Sequence, residues 1–161
     1  MEGTPNNNWN GPPSALMTEM VLPQDSNTHG KLLGGRLLHW MDMTATLAAK
    51  RHAHRPVLTV AVDLVRFIHP ASIGDYVVIK ASLTRVFRTS MEIEVHCYLQ
   101  QPIQQSAEKL ICQGYFTFVA LDENKRPVSL PPFTPKSEAE QNKWTAAGTR
   151  REYRRQTQAD N

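Results

Sequence analysis

The sequence predicts an α+β domain: a five-stranded antiparallel sheet wrapped around one long central helix, with a helical C-terminal tail. Three observations predict it. The strongly apolar segments run in the order strand, helix, then four strands. The later strands are joined by short connections, which suit antiparallel neighbours and not parallel crossovers. One apolar helix must then be buried by five strands, so the sheet has to curl around it.

The elements follow in order. Residues 1–15 (MEGTPNNNWNGPPSA) are rich in Asn, Gly and Pro and are expected to be a disordered tail. Residues 16–132 are expected to form the folded domain, and 133–161 a Pro-containing linker and basic helical tail. LMTEMVL at 16–22 reads as the first strand, and PQDSNTHGKLL at 23–33 as a loop. The helix opens at Gly34-Gly35. Leu37, Met41, Ala45 and Ala48 form one apolar stripe, and Leu38, Ala45 and Ala49 flank Asp42 at helical spacing. The alanines let the sheet approach closely. The stretch 57-VLTVAVDLVRF-67 is apolar on both faces apart from Asp63 and Arg66, as expected of a central strand. After a turn at 69–75 comes the strand 76–86. Phe87, Arg88, Thr89 and Ser90 then make a tight connection to 91-MEIEVHCYLQ-100. There Met91, Ile93, Val95, Cys97 and Leu99 are expected to face inward, and Glu92, Glu94, His96 and Gln100 outward. Residues 101–108 read as a loop and 109–121 as the last strand.

The totals narrow the function classes. A chain of 161 residues suits one domain, and 40% apolar content suffices for a core, while a mean hydropathy of −0.44 points to exposed tails. Cys97 and Cys112 lie in apolar strand-like runs and read as reduced core thiols. Neither a signal-peptide pattern nor a bilayer-length apolar run is present, so a cytoplasmic protein without membrane contact is expected. Without a His/Cys/Asp cluster at ligand spacing, neither a metal nor another cofactor is expected. A net charge of +3 favours an anionic partner and leaves open nucleic acid, a phosphorylated metabolite or nothing specific. An open five-stranded sheet exposes its edges, and pairing two sheets edge to edge makes a dimer the smallest plausible unit.

Two features carry chemistry. Asp42 is a lone acid among apolar and small residues, a setting that makes a carboxylate a better base near neutrality. The plainer reading is an acid that points to solvent or pairs with an arginine. Gly34 and Gly35 leave room for a ligand at the free N–H groups of the first helical turn, which suit a developing oxyanion. The plainer reading there is a glycine turn.

The ordered series Asn27…Gly30…Leu33-Gly34-Gly35…Trp40-Met41-Asp42, Arg51-His52, Thr59…Asp63…Phe67…Pro70…Gly74-Asp75 and Arg88-Thr89-Ser90-Met91-Glu92-Ile93 resembles the hotdog-fold acyl-CoA thioesterases, specifically the cytosolic acyl-CoA hydrolase group. The likeness runs from about Asn27 to about Val95 and leaves out the tails. It implies hydrolysis of acyl-CoA to a carboxylic acid and coenzyme A. Asp42 would be base or nucleophile, the carbonyl would dock near the Gly35 N–H, and Asn27 would come from the partner subunit. Arg88, Thr89 and Ser90, with Arg51 and Thr59, would meet coenzyme A. It also implies a homodimer and, beyond that, a hexamer built as a trimer of dimers. Leu33 and Phe87 depart from the family pattern, in which an aromatic residue and a glycine are common at these positions. Two rivals are an enoyl-CoA hydratase or dehydratase, using His29 or His39 beside the helix acid, and a non-catalytic acyl-CoA sensor. The basic stretch 143-KWTAAGTRREYRRQ-156 lacks an apolar face and any RNA-binding signature. It reads as a solvated tail or a helix packed on a neighbouring subunit, and nucleic acid is not an expected partner.

Overall fold

Twenty consecutive residues, Gly34–Ala53, form the central helix α1 of the computed structural model, which describes residues 12–100 and 108–159. Leu, Met and Ala favour this helix, and its end is explicit. His54 adopts a left-handed conformation with φ 50 and donates its N–H to the Lys50 carbonyl. Lys50, Arg51 and His52 place positive charge in the last turn, where the dipole welcomes it. The expected stripe of Leu37, Met41, Ala45 and Ala48 is buried, joined by Trp40, Thr44, Ala49 and Ala53.

The strands are β1 (Ser14–Met20), β2 (Val57–Phe67), β3 (Tyr76–Val86), β4 (Ser90–Gln100) and β5 (Lys109–Ala120). They form one antiparallel sheet in the order β1-β3-β4-β5-β2, curled around α1. The first strand starts at Ser14, slightly before the expected span. Of the tail expected to be disordered, residues 1–11 lie outside the described residues, as do 101–107 of the expected loop. Small side chains set the distance between helix and sheet. On β5, a Cβ at Gly114 would stand 3.2 Å from the Val65 side chain and 3.4 Å from Met41 Cε.

One placement differs from expectation. β2 is an edge strand, not a central one. Its apolar character reports that both faces need covering, yet Leu58, Val60, Val62 and Leu64 remain exposed in the single chain. A register shift between Thr59 and Ala61 turns the strand, so Thr59 meets α1 while Asp63 reaches the opposite face, and a second shift follows between Asp63 and Arg66.

The C-terminal stretch also departs from both expected forms. Residues Glu138–Ala159 form helix α2, which packs on the outer face of the chain's own sheet. Ser137 starts it, accepting the Glu140 N–H, while the Glu140 carboxylate accepts the Lys136 N–H. Ala147 is fully buried. The face that α2 presents is polar, not apolar: Lys143 donates to Glu94 at 2.6 Å and Arg154 pairs with Asp63. Arg150 grips Glu92 with two hydrogen bonds of 3.0 and 2.7 Å, and Thr84 adds a third donor at 2.7 Å. Glu92 and Glu94 thus face outward as expected, yet are buried because α2 covers them. The inward set of β4 holds: Met91, Ile93, Val95 and Cys97 are fully buried, and Leu99 is half-buried against the core.

Cys97 and Cys112 are direct cross-strand partners and remain free thiols. The hydrogen bond with Cys112, together with burial, pushes the Cys97 thiol up.

His96 supplies a pH prediction. Burial holds its imidazole below the ordinary value, with the carboxylate of Glu94 working against burial and Lys143 working with it. As pH falls below about 6.5, the unfolded chain takes the proton before the folded one, so stability falls in that window. His96→Gln is expected to flatten the slope of unfolding free energy against pH below that value, as read by denaturant titration.

No helix among the described residues is long and apolar enough to cross a membrane.

Candidate active site

Three segments present the groups singled out in the sequence. The first is the loop between β1 and α1. Asn27 turns back on its own backbone, its side-chain oxygen accepting the N–H groups of His29 at 3.0 Å and Lys31 at 3.1 Å. Gly30 closes this turn with φ 67, a conformation that suits glycine. With its oxygen occupied, Asn27 has only the NH₂ end of its amide to offer a ligand, and the residue is exposed. Asn27 can therefore donate a hydrogen bond, to a carbonyl oxygen or a water.

The second segment is the start of α1. Leu33 is the N-cap residue, and its N–H donates to the Asp25 carbonyl at 2.9 Å. The N–H groups of Gly34, Gly35 and Arg36 have no intrahelical partner. The two glycines differ in role. A Cβ at Gly34 would stand 3.2 Å from the ring of Phe67, whereas one at Gly35 would meet nothing within 4 Å. Gly34 therefore admits Phe67, and Gly35 opens onto free space. A cavity of about 430 Å³ lies alongside, lined by Asn27, Lys31, Gly34, Phe67, His69 and Ile111 among others. Gly35→Ala should raise stability by about 0.4–1 kcal/mol, because it removes backbone freedom from the unfolded chain without a clash. If this space receives substrate, the same change should lower kcat/KM for acyl-CoA. Thermal melts and steady-state kinetics on one preparation check both.

The third segment is the middle of α1. Asp42 is half-buried, and the Thr59 hydroxyl on β2 donates to its Oδ1 at 2.8 Å. Thr59, expected at coenzyme A, is thus in contact with the candidate base. Ala45 and Ala49 are buried beside it, while Met43, Leu47, Leu58 and Val60 are exposed. The acid stands where the core meets an uncovered apolar surface. His29 and His39 are both exposed.

The remaining expected residues lie at the other end of α1. Arg51 donates to the Ser14 carbonyl. The turn carrying Arg88, Thr89 and Ser90 is braced by the backbone. Phe87 N–H donates to Ser90 at 2.7 Å, Ala120 N–H to Thr89 at 3.1 Å and Leu130 N–H to Arg88 at 3.0 Å. Arg88 is exposed. The Phe87 ring lies under two guanidinium groups, Arg85 at 5.0 Å and Arg151 at 4.3 Å.

The chain does not bring all of these residues together. Gly35 and Asp42 are separated by about 10 Å of helix rise. The free N–H groups also point out of the helix start, away from Asp42. Sequence reading passed over Asp25 and named Phe67 only within the family series; both shape the helix start. The signal for Asp25 was the Pro-Gln-Asp turn at 23–25, which forms a short 3-10 helix.

A curled five-stranded antiparallel sheet holding its helix inside is a hotdog domain, here with an acid at its open edge. The model of the thioesterase superfamily matches residues 29–104. A Zymomonas mobilis protein named as an uncharacterized acyl-CoA thioester hydrolase is 41% identical over 113 residues, covering 70% of this chain and 75% of that protein. Mouse acetyl-coenzyme A thioesterase is 38% identical over 145 residues, covering 90% of this chain. The chain spans 26% of that mouse protein's length. Among solved structures, the acyl-CoA hydrolase of Staphylococcus aureus in complex with butyryl-coenzyme A, coenzyme A and coenzyme A disulfide superposes with a TM-score of 0.85 at 29% identity, covering 91% of this chain and 89% of that one. The same enzyme has been solved with an aspartate, an asparagine and a threonine each replaced by alanine. An apo-hexameric acyl-CoA thioesterase gives a TM-score of 0.85 at 32% identity, covering 91% of this chain and 93% of that one. The chain belongs to the thioesterase superfamily.

Proposed function

We propose that this chain hydrolyses acyl-CoA to a carboxylic acid and coenzyme A at a site shared between two copies. The observation that carries this reading is Asp42, held at one oxygen by Thr59 on the rim of an exposed apolar surface. Its other oxygen takes a proton from water as the water oxygen attacks the thioester carbon. The carbon–sulfur bond then breaks and the thiolate leaves as coenzyme A. Asn27 and the free N–H groups near Gly35 donate to the carbonyl oxygen. Because those groups point away from the Asp42 of their own helix, the donors serving one Asp42 belong to the second copy. The exposed row Leu58, Val60, Val62 and Leu64, with Met43 and Leu47, supplies the apolar area that such a dimer buries. The three alanine mutants of the Staphylococcus aureus hydrolase fall at the same intervals along its chain as Asn27, Asp42 and Thr59 do here, which supports these assignments.

Arg88, Thr89 and Ser90 take the nucleotide end of coenzyme A, with Arg51 adding positive potential. Solved relatives are hexameric, which supports a trimer of dimers. The charges of Lys143, Arg150 and Arg154 are matched within the chain, which argues against nucleic acid as a partner. A cytoplasmic location accords with an acyl-CoA substrate.

Thiol release across acyl-CoA chain lengths tests the proposal. Hydrolysis of at least one chain length is expected. Binding without thiol release would favour a sensor, and hydration of an enoyl-CoA without thiol release would favour the hydratase.

A further inference from the structure

We infer that Asp25, together with Arg36, is a positioning residue that holds the donor half of the site, the Asn27 amide and the free N–H groups at the start of α1, in one geometry. The inference rests on the hydrolase reading above and goes beyond it. Asp25 is only 3% exposed, unusual for an acid in a surface loop. Its carboxylate accepts the Leu22 N–H at 3.1 Å and the Arg36 Nε at 2.7 Å. Its backbone carbonyl accepts the Leu33 N–H at 2.9 Å. One residue thus ties the beginning of the loop, its end and the first turn of the helix. Asn27 lies inside that closed span. The opposite side of the loop is fixed independently: Leu32 N–H donates to Ala71 at 2.9 Å, and Ile73 N–H donates to Gly30 at 3.1 Å.

The choice of an ion pair has an electrostatic consequence. An arginine in the first turn opposes the helix dipole, and an acid there favours it. Joined at 2.7 Å, the two charges largely cancel, so the free N–H groups keep their own field for an incoming oxyanion. An ion pair with only its acid buried is a weak way to stabilise a loop, since desolvation of the acid offsets much of the attraction. What the pair adds is a fixed distance between loop and helix start, the quantity on which donor alignment depends. Arg36 is braced in turn, with its guanidinium carbon 5.7 Å from the Trp40 ring centre.

Thiol-release kinetics on wild type, D25N, R36Q, N27A and the double variant D25N/N27A test this. D25N keeps the size of the side chain and an oxygen acceptor. It is expected to lower kcat by about 10–100-fold, the scale of a misplacement near 1 Å, with a much smaller change in KM. R36Q should act in the same direction. In the N27A background D25N should lose part of its effect, because one of the two groups it positions is gone while the free N–H groups remain. Hydrogen exchange should quicken over residues 27–35 and stay unchanged in β3 and β4. If D25N does not fold, R36Q and R36Q/N27A complete the same cycle. Wild-type kcat in D25N or R36Q, or fully additive losses with N27A, would overturn the positioning role. A wild type that releases no thiol from any acyl-CoA would overturn the hydrolase reading and this inference with it, an outcome distinct because wild type is measured first.

Discussion

Asp42→Asn is expected to lower kcat for acyl-CoA hydrolysis by about 10²–10⁴-fold, the usual contribution of a positioned general base. The amide is nearly isosteric and still offers an oxygen to the Thr59 hydroxyl, which now donates to Asp42 at 2.8 Å. The helix, the strand and the apolar surface around them should be undisturbed, so the melting temperature and oligomeric state should match wild type. KM should change little, since the residues proposed to meet coenzyme A lie at the other end of α1. Thiol release, a thermal melt and size-exclusion chromatography measure all four quantities. Wild-type turnover in this variant would remove Asp42 from the reaction.

The largest expected effect on stability comes from Arg150→Met. Glu92 is 1% exposed and depends on Arg150 for two of its hydrogen bonds. Removing one partner of a buried pair strands the other charge, at about 3–5 kcal/mol. In a chain of this length each kcal/mol shifts the melting temperature by about 2–4 °C, so a fall of roughly 6–20 °C is expected. Arg155→Met is the control. Arg155 stands 4.0 Å from Glu152, both are more than half exposed, and its loss should change stability by less than about 0.5 kcal/mol. Equal melting temperatures for the two variants would show that the α2–sheet ion pairs are not what holds the helix down.

How far the sequence is legible depends on the range of the interaction. The buried stripe of α1 is visible because its cause, burial at helical spacing, is written in neighbouring residues. The in–out alternation of β4 is visible for the same reason. The fate of its outward residues is not, because Glu92 and Arg150 are 58 positions apart and nothing local says that a basic helix will cover an acidic row. A helix without an apolar face reads as solvated, and that inference fails when the opposing surface is itself charged. β2 illustrates a second limit. Its apolar pattern signals surface that favours cover, but cover by a second copy, as proposed, and a place at the centre of a sheet leave the same composition. At the site, Asp42 and Gly35 stood out by their local setting, and Asn27 was named from the family likeness alone. The Thr59 contact and the Asp25–Arg36 pair needed coordinates, since each joins elements that sequence spacing alone cannot align.

The manner in which α2 covers the sheet implies an asymmetry between damage and loss. If the whole helix were cut away, Glu92 and Glu94 would return to water and recover their hydration. If the helix stays and a single guanidinium is missing, the carboxylate remains sealed with no counter-charge. For this chain, then, a clean truncation before Ser137 should be gentler on the fold than one wrong residue within the strap.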